Sequence, residues 1–138
     1  MVPELFVDTS AWVALADSDD QHHRAARETY LQLLARGRLL TTNLVLAESY
    51  TLLRRHLDAE RALKFLASVR SSPRIEVLYS TRELEAAAEA LLRRYSDHLF
   101  SYTDAVSFGC MQARGIREAF TFDRHFSVAG FRLVPITP

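Results

Sequence analysis

Five short apolar runs punctuate the chain, and stretches of helical period separate them. Glu4 to Val7, Leu39 to Thr42, Arg74 to Tyr79, Glu118 to Phe122 and Phe131 to Val134 are too short for helices and rich in large apolar side chains. Short apolar strands alternating with helices pack as a parallel sheet covered on both faces. The expected fold is therefore a three-layer α/β/α sandwich with a central, mostly parallel sheet of about five strands. Strand order within that sheet does not follow from the pattern.

The helices announce themselves by their ends. Thr9-Ser10 start AWVALAD, and Asp19-Asp20 precede HHRAARETYLQLLARG, which Gly37 closes. Asn43 is placed as the N-cap of LVLAESYTLLRRH, and Asp58 opens AERALKFLASVR. Ser80 with Glu83, and Ser101 with Asp104, have capping-box spacing before the two later helices. No repeat, low-complexity tract or linker interrupts the 138 residues, so residues 1–138 are expected to form a single domain. No apolar stretch is long enough to span a membrane, and a lone cysteine, Cys110, fits a reducing cytoplasm. Cytoplasmic residence is the expectation.

In an open parallel sheet the ligand site lies beyond the carboxyl ends of the strands. Two acids stand at such ends, Asp8 after LFV and Asp123 after FTF. Glu48 lies four residues after Leu44 and four before Leu52, on a stripe where a carboxylate is costly unless paired or bound to a cation. Asp104 sits in the first turn of its helix, near the same edge. Each acid also has a plainer reading. Asp8, Asp104 and Asp123 are each placed to cap a helix or turn, and Glu48 to pair with Arg54, Arg55 or a distant arginine. The set carries more weight than any member. Two unit charges about 4 Å apart repel by on the order of 4 kcal/mol at intermediate dielectric. Four gathered carboxylates therefore require bound cations or raised pKa values. All-oxygen ligation suits Mg²⁺ or Mn²⁺ and points to phosphoryl chemistry. Hydroxyls accompany the acids at Thr9, Ser10, Thr103 and Thr121.

FVDTSAWVAL, LAES, SYTDAVSF and TFDRHF, in that order and at that spacing, resemble the PIN-domain ribonucleases, and among them the VapC-type toxins of bacterial type II toxin–antitoxin pairs. The resemblance runs over essentially the whole chain. It implies catalytic, metal-holding acids at Asp8, Glu48, Asp104 and Asp123, with hydroxyls at Ser10, Thr103 and Thr121 beside them. It further implies a Mg²⁺- or Mn²⁺-dependent endoribonuclease acting on tRNA, rRNA or mRNA. A homodimer and a cognate antitoxin are implied as well, with a housekeeping nuclease lacking an antitoxin as the alternative.

Charge is neutral overall, with seventeen basic and seventeen acidic side chains. If metal neutralises four acids, thirteen remain against the seventeen cations, as RNA binding favours. Sixteen of those cations are arginine and only Lys64 is lysine, which weakly supports nucleic acid. Arg54-Arg55-His56, Arg93-Arg94 and Arg124-His125 are the visible basic spots; each either meets RNA or is a solvated helix end. DSDDQHH, residues 17–23, fits neither an EF-hand nor a zinc motif and reads as a polar loop. Two other classes compete. A phosphatase of the haloacid dehalogenase kind would want a second aspartate at position 10, where this chain has Ser10. A non-catalytic interaction domain would leave all four acids as caps and ion pairs.

Overall fold

The computed structural model describes residues 3–136. Its elements are β1 (Glu4–Val7), α1 (Thr9–Ala16), α2 (His23–Arg36), β2 (Arg38–Thr42), α3 (Asn43–His56), α4 (Ala59–Ser71), β3 (Ile75–Leu78), α5 (Arg82–Arg94), α6 (Tyr102–Arg114), β4 (Glu118–Phe120), α7 (His125–Val128) and β5 (Arg132–Val134). The five strands form one sheet in the order β3-β2-β1-β4-β5, and every neighbouring pair is parallel. Parallel crossovers are almost always right-handed. The chain first steps from β1 to β2 to β3, then returns past β1 to β4 and β5. Opposite directions of travel put α1–α4 on one face and α5–α7 on the other, which gives the expected three layers.

Burial agrees with a sheet covered on both sides. Phe6 and Val7 of β1, Leu39 and Leu40 of β2, and Ala119 and Phe120 of β4 are all solvent-inaccessible. An aromatic spine fills one layer: Phe6 stacks near Phe126, which meets Phe108 edge-on at 4.9 Å, and Phe108 in turn meets Phe100 at 5.1 Å. Trp12 is core, as its apolar setting implies. Its indole N–H donates to the Thr41 hydroxyl at 3.2 Å, and that hydroxyl donates to the Val7 carbonyl at 3.0 Å. Cys110 is buried in α6, and burial pushes its thiol pKa up to about 11. None of the described helices is long and apolar enough to cross a membrane.

Several boundaries differ from expectation. Thr42, not Asn43, caps α3, accepting from the Val45 amide; Asn43 instead accepts the Ser80 amide across the sheet edge. Similarly Thr81, not Ser80, caps α5, and the Ser80 hydroxyl donates to Glu85. In both cases a neighbouring hydroxyl had the better approach to the first free amides. Gly37 does close α2, but in extended rather than left-handed backbone. Its requirement is close approach, since an added Cβ would collide with the Pro3 carbonyl, which accepts the Arg38 amide at 2.9 Å. The strand expected to run to Phe122 ends at Phe120, which frees Thr121 to Asp123 for the loop above the sheet.

Candidate active site at the carboxyl ends of the strands

The sheet order reverses between β1 and β4, and a crevice opens at such a switch point. Asp8 leaves the end of β1 and Asp123 follows β4, so the sheet itself brings together two acids far apart in sequence. Asp8 flanks α1 as its N-cap residue, yet its side chain makes no capping hydrogen bond. The carboxylate is turned toward β4 instead. Its Oδ2 accepts from the Thr121 hydroxyl at 2.9 Å and from the Ser10 hydroxyl at 3.2 Å. The two hydroxyls also lie 3.1 Å from each other. They receive the next amides of the loop: Phe122 N–H donates to Ser10 and Asp123 N–H to Thr121. This closed network locks the loop after β4 against the end of β1.

Asp8 is only 3 % exposed. Burial raises its pKa from 3.8 to about 7, against the hydrogen bond from Thr121 and the Thr9 amide; the charges of Asp104 and Asp123 raise it further. A carboxylate held this way carries negative charge that its protein surroundings do not compensate.

Asp104, buried in the first turn of α6, fulfils the capping reading given to it. Its Oδ2 accepts the Ser101 amide while the Ser101 hydroxyl accepts the Asp104 amide, a complete capping box. The same Oδ2 lies 3.3 Å from His125 Nδ1. Asp123 likewise shapes a turn, its Oδ1 accepting the His125 amide at 2.9 Å. Asp104, Asp123 and His125 each present a ligand atom, all within 4.8 Å of one another.

Glu48 is not one of that group. It is half-buried and makes no hydrogen bond or ion pair among the described residues, so the pairing with Arg54 or Arg55 does not form. Leu44 and Leu52 are only partly buried too. The buried face of α3 is Val45, Leu46, Ser49 and Leu53, and Glu48 borders it. The desolvation inferred from the leucine spacing is correspondingly smaller. Thr103 is half-buried, and its carbonyl accepts from the Ser107 hydroxyl. The Thr9 hydroxyl is buried without a partner among the described residues.

A model of the PIN domain matches residues 5–132. The chain belongs to the PIN-domain family. It is a VapC-like member, 38 % identical over 127 residues to the 23S rRNA-specific endonuclease VapC20 of Mycobacterium tuberculosis, a match that spans 92 % of this chain and 95 % of VapC20. The crystal structure of that protein, a Sarcin-Ricin loop cleaving toxin, superposes with a TM-score of 0.86 at 36 % identity, over 97 % of this chain and 99 % of the other. The DNA-bound VapBC of Salmonella typhimurium shares the fold at a TM-score of 0.66 and 22 % identity, covering 96 % of this chain and 97 % of that one.

In this PIN domain two features escaped the sequence reading. The sequence sets His125 in a basic spot facing RNA or water, yet its ring stands between two of the acids. His22, in the polar loop before α2, stacks flat on Phe122 at 4.3 Å. Neither carried a sequence signal: both depend on which loops meet above the switch point.

Proposed function

We propose that this chain is a divalent-metal-dependent endoribonuclease, one nuclease domain running its whole length, that acts as the toxin of a toxin–antitoxin pair. The observation that carries the reading is the buried Asp8 carboxylate, its pKa raised to about 7, near the charges of Asp104 and Asp123 at the switch point. Oxygen-rich, carboxylate-dominated donors fit a hard ion such as Mg²⁺ or Mn²⁺. When bound, such an ion supplies charge neutralisation at the scissile phosphate and a water of lowered pKa.

The protein's own residues then divide the work. Asp8, Asp104 and Asp123 hold the ion, with Glu48 as a fourth acid. The Ser10 and Thr121 hydroxyls fix the Asp8 carboxylate through Oδ2 and so orient its other oxygen. Glu48, free of partners among the described residues, is available to steer the attacking water, and Thr103 flanks Asp104. The likeness to VapC20 across nearly the full chain supports structured rRNA as the substrate class. A cognate antitoxin, a homodimer and cytoplasmic action complete the proposal, as the resemblance to the VapC-type toxins implies.

The test is cleavage of ribosomal RNA by purified protein with Mg²⁺ or Mn²⁺, with and without EDTA, beside Asp8→Asn and Asp104→Asn. Cleavage lost on chelation and in both variants supports the reading; cleavage that survives all three sinks it. Expression of the chain alone should arrest growth, and expression of Asp8→Asn should not. Harmless expression of an active enzyme would favour a housekeeping nuclease.

A further inference from the structure

We infer that His125 is a nitrogen ligand of the catalytic metal, and that it tilts the site toward Mn²⁺ over Mg²⁺. The inference rests on the metal-nuclease reading but adds a residue and a selectivity to it. Its basis is spacing. His125 Nδ1 lies 3.3 Å from Asp104 Oδ2 and 3.6 Å from Asp123 Oδ1. The first is a long hydrogen-bond contact and the second lies beyond hydrogen-bond range. Adjacent donors on an octahedral ion with bonds of about 2.1 Å are separated by about 3 Å. Opposite donors on such an ion stand about 4.2 Å apart, so a trio of donor atoms within 4.8 Å of one another spans little more than one coordination sphere. All candidate donors of the trio fall within 4.8 Å of one another, so only a slight contraction would be needed.

The imidazole is also held in place for this role. Its backbone is pinned by the His125 amide donating to Asp123 Oδ1. Its ring meets Phe100 edge-on at 5.2 Å, and Phe100 is itself clamped by His98, stacked at 5.4 Å, and by Phe108. The ring remains partly open to solvent, with 37 % of the side chain exposed, so an entering ion could reach it. Mg²⁺ demands oxygen ligands and gives up its waters reluctantly, whereas a transition ion accepts imidazole beside carboxylates. One nitrogen among carboxylate oxygens is thus a selectivity element.

The experiment is electron spin-echo spectroscopy of the full chain loaded with one equivalent of Mn²⁺, on the wild type, His125→Gln and His125→Ala, with thermal melts to show that each folds. Expected in the wild type is ¹⁴N modulation from a directly coordinated imidazole, absent in both variants. Mn²⁺ affinity should fall about tenfold in the variants, the size of loss seen when a metal site is disturbed, while Mg²⁺ affinity measured by competition should change by less than about threefold. Mn²⁺ bound with no ¹⁴N coupling, or with coupling that persists in His125→Gln, overturns the ligand assignment and leaves the metal-nuclease reading standing. Failure of the wild type to bind Mn²⁺ at all overturns both.

Discussion

Replacing Asp8 with Asn should stabilise the metal-free protein at pH 8 while abolishing cleavage. The Asp8 pKa is raised from 3.8 to about 7, chiefly by burial. The folded state therefore keeps a proton that the unfolded chain loses, and stability falls as pH rises from about 4 to about 7. Above pH 7 the penalty is complete. A displacement of that size corresponds to at most about 4 kcal/mol. Asn keeps a carbonyl oxygen for the Thr121 and Ser10 hydroxyls but cannot ionise. For a chain of this length each kcal/mol moves Tm by about 3–4 °C. Melting in EDTA should then show Asp8→Asn above wild type by roughly 5–12 °C at pH 8, with the gap closing near pH 4.5. Added Mn²⁺ should reverse the order at pH 8, because binding to the folded state stabilises the wild type by mass action. A gap that is absent at pH 8, or equal at both pH values, would refute the account of Asp8 as a buried and uncompensated charge.

Other substitutions probe the scaffold around the site. Thr121→Val removes the hydroxyl that serves both Asp8 and the Asp123 amide; it should cost about 1–3 kcal/mol in denaturant melts and lower kcat at least tenfold, whereas Thr121→Ser should recover most of both. Gly37→Ala drives a methyl against the Pro3 carbonyl and should destabilise by about 1–3 kcal/mol without changing metal affinity. Arg114 joins Glu4 and Glu76 at the amino ends of the strands, but these groups are partly exposed. Arg114→Ala should accordingly cost no more than about 1 kcal/mol at physiological salt, less at 1 M.

Much of the site was legible because strand ends and helix starts leave local marks. Asp8 after LFV and Asp123 after FTF could be placed at the carboxyl edge of a parallel sheet before any pairing was known. The Ser101–Asp104 capping box formed as its spacing implied. Local marks also misled where two hydroxyls or amides competed for one cap, as at Thr42 beside Asn43 and Thr81 beside Ser80. Glu48 shows a further limit. A four-residue spacing to leucines says which face an acid shares, but not whether that face is buried or borders the crevice.

The sequence by itself determined the alternation of strands and helices, the layered architecture and the candidate acids, because side-chain periodicity and capping act over a few residues. Only the tertiary structure decided the order β3-β2-β1-β4-β5. That order sets β4 beside β1, joins Thr121 to Asp8, and turns Asp8 away from its capping role into a buried charge. It also swings His125 between Asp104 and Asp123. The Asp8–Thr121 contact depends on a strand pairing across more than a hundred residues, and no local pattern carries that information.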